Sequence, residues 1–383
     1  MRTSNSPQKS RLLHKPDYFF ILILGIIVIF GIVMLSSAGT VVGYERFGDS
    51  NYYLKHHLIN GILLGIIGFL IASKLDYHIW RKLSMPLLII TIFLLIIVFI
   101  PGLGIGLKGA SRWINLGVIT FQPAELAKLT FLFYLATWLQ KRGEGVKSFL
   151  YGFLPFLILL SVISGLILAE PDFSTMLVLA FMSVMVFFIA GGNIIHVTWL
   201  GFVSAGLFMM LIRFAPYRAA RFTVFLHPEI DPQGIGYHIN QALLAIGSGG
   251  IFGLGLGRSR QKFNYLPEAA GDSIFAVIAE ELGFIFCLIL IVLFVALMMR
   301  GFQIARRAPD DFGKYVAVGI VTWITFQAFF NIAAMVGLVP LTGIPLPFIS
   351  HGSTAVAISL VAMGVVVNIS RQTKAQTASS RVK

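Results

Sequence analysis

Ten apolar runs, each close to the length of a bilayer-crossing helix, leave this chain few folds to adopt. Such a helix needs about 20 mostly apolar residues, with about 17 to 25 acceptable. The runs are Asp17–Ser36, Lys55–Ser73, Pro86–Ile100, Pro123–Gln140, Leu150–Ala169, Phe173–Ala190, Ile194–Arg213, Ser273–Arg300, Lys314–Val336 and His351–Ile369. The third is short, and the fifth contains Pro155, which membrane helices tolerate. Only 12% of the 383 residues are charged and 57% are apolar, too little polar surface for a soluble fold of this length. The fold class expected is therefore an all-α polytopic membrane protein with about ten transmembrane helices. Disorder, a disulfide scaffold and a cytosolic enzyme are excluded, and the single cysteine, Cys287, cannot form an intramolecular disulfide.

The net charge of +13 would suggest nucleic acid in a soluble protein; here it reports topology, and no nucleic-acid partner is expected. With both termini in the cytoplasm, 18 of the 29 basic residues fall on the inner side, in the two tails and the loops around Lys74–Lys82, Lys141–Lys147 and Arg300–Lys314. The positive-inside rule favours that orientation, and an even number of spans agrees with it. The first run lacks a clear small-residue cleavage site and reads as a retained anchor. The expected division is a cytoplasmic tail (1–16), helices one to seven (17–213), a large extracytoplasmic loop (214–272), helices eight to ten (273–370) and a second tail (371–383).

That outer loop is far longer than a connector needs, and long loops are usually functional. Its Ala242–Gly257 stretch is apolar and Gly-rich and is expected to pack on the membrane surface. Eleven of the 16 acidic residues lie in outer loops or within spans, where an ionisable group marks a functional site by default. Glu125 and Lys128, three residues apart, share a helix face and can neutralise each other. Asp272 stands where the loop enters the eighth span, and Glu280 follows two turns, about 12 Å, deeper. The outer half of the membrane thus gathers Arg112, Glu125, Lys128, Glu170, Asp172, Glu268, Asp272 and Glu280. This set suits an anionic headgroup: the cations would hold phosphate and one carboxylate would move a proton. Charge and periodicity do not separate a transporter from an enzyme.

Several motifs resemble one family. They are Gly109-Ala-Ser-Arg-Trp-Ile114, Gln122-Pro-Ala-Glu-Leu-Ala-Lys128, Glu170-Pro-Asp-Phe-Ser-Thr175, Asp231-Pro-Gln-Gly-Ile-Gly-Tyr237 running on through Tyr265-Leu-Pro-Glu268 to Asp272, Ala279-Glu-Glu-Leu-Gly283, Asn331, and Pro340-Leu-Thr-Gly-Ile-Pro-Leu-Pro-Phe-Ile-Ser350. In this order they resemble the SEDS proteins (shape, elongation, division and sporulation), which include FtsW and RodA, with loop wording closer to FtsW. The resemblance implies a peptidoglycan glycosyltransferase at the outer face of the bacterial cytoplasmic membrane, serving division or elongation. Its substrate would be lipid II, the undecaprenyl-diphosphate disaccharide-pentapeptide. Its partners would be a class B penicillin-binding protein that crosslinks the glycan and other divisome or elongasome membrane proteins. The family's essential acid maps to Asp272, and its functional cations map to Arg112 and Lys128. Glu125, Glu268 and Glu280 join them as expected substrate-binding residues. A divalent cation is admissible at the diphosphate, although the sequence offers no convincing ligand set. Three stretches depart from the family's wording: Ala270-Gly271 precede the acid where His-Thr is usual, Glu170 stands for Gln and Ser174 for Gly in the second, and His351-Gly352-Ser353 stand for Tyr-Gly-Gly.

Plainer readings stand beside these. Asp272 could serve only the helix dipole, Arg112 could snorkel with Trp113 as its interfacial aromatic, and Glu170 or Asp172 could cap the sixth span. Glu280 and Glu281 could hydrogen-bond within the bundle, and His227, Glu229, Asp231 and His238 match no tight metal spacing. The glycine strings Gly102–Gly104 and Gly253–Gly257 lack the βαβ context of a nucleotide loop. Ser259-Arg-Gln-Lys262 and Ser6-Pro-Gln-Lys9 match Ser-x-x-Lys without the companion motifs of a penicillin-binding enzyme. A lipid II flippase, or an inactive scaffold for a transpeptidase, are the alternative functions.

Overall fold

The computed structural model of the chain describes residues 14–100, 104–107, 110–115, 120–214, 223–225, 230–231 and 234–373. Its helices are α1 (Tyr18–Ala38), α2 (Thr40–Phe47), α3 (Tyr52–Lys74), α4 (His78–Ile97), α5 (Pro123–Arg142), α6 (Phe149–Ala169), α7 (Phe173–Ile189), α8 (Ile194–Phe214), α9 (Ile235–Gly249), α10 (Ile274–Arg306), α11 (Asp311–Met335) and α12 (Ser353–Arg371). Every expected span coincides with one of these helices; α2 and α9 are additional. Seven (α1, α3, α4, α6, α10, α11 and α12) are both long and apolar enough to cross a membrane. Helix α5 is as long but carries Glu125, Lys128, Lys141 and Arg142. The chain is an all-α polytopic membrane protein.

Several helix starts are written locally. Asp17, Asp172 and Asp310 each accept a hydrogen bond from the backbone N–H three residues on, satisfying donors that a helix leaves orphaned at its first turn. Pro86 lies inside α4 and does not open it: the helix begins at His78, and the preceding Tyr77 N–H is held by the Asn368 side chain. Helices α11 and α12 are 78% buried over their most apolar stretch, against 22–39% for the other five long apolar helices, so these two form the centre of the bundle.

Two features depart from a plain bundle. Between α4 and α5 the chain makes a small antiparallel sheet of β1 (Gly104–Leu107), β2 (Ala110–Asn115) and β3 (Thr120–Phe121), in sequence order. Helix α10, expected as one continuous span, is broken at Gly283, whose φ of 78° and ψ of −176° suit only glycine. The segment Ala242–Gly257 does not simply coat the membrane surface, because its glycine-rich end closes this break. Leu254 and Gly255 donate their N–H groups to the carbonyls of Glu280 and Glu281, while Phe284 and Ile285 donate to Gly250 and Ile251. Backbone groups freed inside a membrane must find such partners. A Cβ on Gly253 would lie 2.2 Å from the Glu281 carbonyl oxygen, so the approach itself requires glycine.

The two ends of the bundle carry different contacts. At one end His14 donates its N–H to Arg371, Arg300 pairs with Asp17 at 2.8 Å, Tyr77 and His78 bond to Asp310, and Arg81 reaches Gln140. The described chain ends therefore share a face. At the other end lie the sheet, the 249–273 segment and the 338–352 segment.

Candidate active site

The extended segment 338–352, between α11 and α12, is the hub on which the candidate residues converge. From α11, Asn331 donates from one amide nitrogen to the carbonyls of Asp272 and Ile344, both at 2.7 Å. One turn earlier Gln327 donates to the Pro345 carbonyl at 3.0 Å. Ser174, in the first turn of α7, donates its hydroxyl to the Thr342 carbonyl. From the hub's far end, the His351 N–H donates to the Ala270 carbonyl at 2.8 Å. Two of the positions that depart from the family wording are thus bonded to each other.

Asp272 sits at the mouth of the short buried half of α10, one residue before Ser273 opens it. It is half-buried, and its carboxylate lies against Gly343, which turns with a φ of 73°; a Cβ there would stand 3.6 Å from the Asp272 Oδ2. The turn before it is tied down: the Gly271 and Ser273 N–H groups donate to the Glu268 carbonyl, and the Ser273 hydroxyl bonds the Pro267 carbonyl and the His238 ring. Glu268 is exposed, and its carboxylate lies beside Gly271, so it shares the mouth with Asp272. The His351 ring packs edge-on against Tyr53 at 4.8 Å. Burial, with a smaller push from His56 and an opposing pull from Glu268, lowers its imidazole to about 4, so it is neutral at physiological pH.

Arg112 lies on β2, half-buried. It donates from Nε to the Glu170 carbonyl at 3.0 Å and from a terminal nitrogen to the Pro171 carbonyl. Asp172 caps α7 through Thr175 and accepts from Gln122 at 3.0 Å, which ties α5 to the same corner. Of the two acids weighed for that cap, Asp172 fills it and Glu170 does not.

Lys128 and Glu125, expected at the headgroup, are instead buried beneath it. Lys128 is 1% exposed, and its ammonium is consumed by Glu125 at 2.9 Å, Gln327 at 3.3 Å and the face of Trp323 at 4.5 Å. Desolvating an ammonium is costly, and this cage compensates it. The pair acts on the hub through Gln327 and reaches no open surface. Glu280 is likewise 1% exposed: it accepts from the Ser259 hydroxyl at 2.5 Å and from the Arg260 and Gln261 N–H groups, which pins the outer segment to the half-helix. It contributes no carboxylate to the mouth.

A buried pair stands next to it, in which Glu281 hydrogen-bonds within the bundle and Lys262, expected in the outer loop, is its partner. Lys262 bonds Glu281 at 2.9 Å, Ser37 at 3.0 Å and the Gly257 carbonyl at 2.8 Å, and Ser37 also donates to Glu281. The Ser-x-x-Lys match at Ser259 is therefore no nucleophile–base pair, since the Lys262 ammonium points to Glu281 and the Ser259 hydroxyl to Glu280. A polar residue in α1 and two adjacent acids in an apolar run were the only sequence signal for this cluster. Among the described residues no group of three or more His, Cys, Asp or Glu could hold a metal ion; His227 and Glu229 lie outside them.

The arrangement brings the Asp272 carboxylate, which lies against Gly343, and the carbonyl-held Arg112 guanidinium, on the corner that Ser174 ties to Thr342, toward the same stretch of the hub. The sequence model of the FtsW, RodA and SpoVE cell cycle proteins matches residues 17–375. A probable peptidoglycan glycosyltransferase FtsW of Trichlorobacter lovleyi is 40% identical over 365 residues, 94% of this chain and 96% of that protein. Stage V sporulation protein E of Bacillus subtilis is 40% identical over 359 residues, 94% of this chain and 98% of that protein. A chain in a solved structure of a peptidoglycan synthase complex that coordinates polymerization and crosslinking superposes with a TM-score of 0.75 at 26% identity, covering 93% of this chain and 98% of its own.

Proposed function

This chain belongs to the FtsW, RodA and SpoVE family of cell cycle proteins, and from that premise we infer that it is a peptidoglycan glycosyltransferase polymerising lipid II. The observation that carries the reading is the position of Asp272, a carboxylate at the mouth of a half-helix whose main chain Asn331 ties to the hub. Asp272 is the general base: it takes the proton from the acceptor's 4-hydroxyl as that oxygen attacks the donor's anomeric carbon. The donor's diphosphate leaves in line, the configuration inverts, and a β-1,4 link forms. A positioned base contributes typically about 10²–10⁴-fold in rate.

Arg112 holds the departing diphosphate. Its charge is fixed in place by neutral carbonyls, which is the preorganised arrangement that stabilises developing charge. Lys128 and Glu125 act from below, keeping Gln327 on the Pro345 carbonyl. Glu268 lies on the acceptor side, and Glu280 keeps the outer segment seated. Any divalent cation at this site arrives with the diphosphate.

The orientation proposed is both termini in the cytoplasm and the hub at the outer face of the cytoplasmic membrane, supported by the basic residues of the opposite end. The division proposed is the one expected from sequence, with 214–272 as the extracytoplasmic loop. A class B penicillin-binding protein is the proposed crosslinking partner, supported by the likeness to a chain of a peptidoglycan synthase complex. The test is lipid II polymerisation by purified protein, alone and with that partner. Long glycan in either case supports the reading. No glycan in both, together with lipid II translocation in vesicles, would replace it with a flippase.

A further inference from the structure

Glu170 is a site acid that the proposed mechanism leaves unused, and its surroundings are unusual. It is 0% exposed, and both carboxylate oxygens are buried without a hydrogen-bond donor among the described residues. Its own backbone carbonyl meanwhile holds the Arg112 guanidinium, and no carboxylate pairs with Arg112 among those residues. An ionised carboxylate in such a place is uncompensated, so the neutral acid is the stable form.

We propose that Glu170 is a proton-controlled positioning residue for Arg112: neutral, it leaves the guanidinium charge to an anionic diphosphate, and ionised it takes that charge for itself. The inference rests on the reading of Arg112 as the diphosphate contact. The two already couple, since the guanidinium is anchored on the residue 170 carbonyl and its charge is one of those acting on the Glu170 carboxyl. The charged groups acting on Glu170 are Asp172 ahead of α7, which favours the protonated form, and Arg112 of β2, which opposes it. Gln122, immediately ahead of α5, bonds Asp172 and adds no charge. Burial first, then Asp172, raise the Glu170 carboxyl to about 8 despite Arg112. The proton released on ionisation passes to solvent, and binding of the diphosphate, another anion, favours its return.

The experiment is the pH dependence of the lipid II KM and kcat for the wild type, Glu170→Gln and Arg112→Ala, each assayed with its partner. If only the protonated form leaves Arg112 available, the wild-type KM rises about tenfold between pH 7 and pH 9 while kcat changes little, because apparent affinity scales with the competent fraction. Glu170→Gln, permanently neutral and nearly isosteric, removes that rise. A flat wild-type KM over this range overturns the proposal even should the Gln variant fail to fold. A Gln variant that keeps the rise also overturns it, leaving Arg112 as assigned. Arg112→Ala with unaltered KM and kcat at pH 7 sinks the reading of Arg112 itself, which separates the two failures.

Discussion

At the scale of single residues, the structure turns several charges that resembled ligands into supports. Lys128 is the clearest. Removing one member of a buried ion pair leaves the other uncompensated, at a cost of about 3–5 kcal/mol, whereas replacing both by apolar groups of similar volume is often neutral. Lys128→Met should therefore lower the unfolding temperature in detergent far more than the double variant Glu125→Leu/Lys128→Met. Equal losses in the two would contradict a compensated pair. At the opposite end, burial alone would raise the Asp310 carboxyl, but bonds from His78, the Gly313 N–H and Tyr77 outweigh it and bring it down to about 2. A carboxyl depressed by folding stabilises above its ordinary value of 3.8 and loses that contribution as pH falls through about 2. Asp310→Asn should be less stable than wild type at pH 7 and converge with it toward pH 2. A gap that does not change across that range would count against the clasp.

At the scale of elements, the apolar runs announced ten helices because length and hydrophobicity are what a bilayer selects. What they left out has a common physical origin. The break in α10 depends on backbone partners from a distant segment, and hydropathy does not register hydrogen bonds. Apart from Glu280 and Glu281, the run from Ile274 into the long half of the helix continues apolar across Gly283. The small sheet that carries Arg112 lies in a glycine-rich connector, where turn chemistry and not periodicity decides. The Lys262–Glu281–Ser37 cluster was illegible because its members are 225 and 244 positions apart from Ser37 in sequence. Asp272 was legible only because a family motif ends on it; as a lone acid before a helix it looked like a dipole partner. The break itself is testable. Alanine at Gly283 would adopt a region that is essentially glycine's, costing of order 1–3 kcal/mol, and its Cβ would fall 2.3 Å from the Gly253 nitrogen. Gly283→Ala should lower the unfolding temperature and polymerisation together, whereas Gly165→Ala in α6, where the added methyl meets nothing within 4 Å, should do neither.

At the scale of the whole molecule, one end of the bundle is a set of clasps between chain ends and basic loops, and the other is the hub with its polar mouth. In a Cys287→Ala background, a cysteine at Asn264 should react with a membrane-impermeant maleimide on intact spheroplasts. One at Thr373 should react only after lysis; early labelling of Thr373→Cys would reverse the orientation. The buried centre of α11 and α12 supports the hub from within, and the outer helices turn most of their apolar surface outward. On the proposed mechanism Asp272 performs chemistry and does not merely hold the fold or the lipid. Asp272→Asn keeps the shape and the N-terminal position of the side chain while removing the base. The most direct measurement pairs lipid II binding with glycan formation for this variant and the wild type, in complex with the partner. Near-wild-type binding with polymerisation reduced by at least about 10²-fold is the expected result; a variant that binds lipid II and still polymerises it at the wild-type rate would show that Asp272 is not the base.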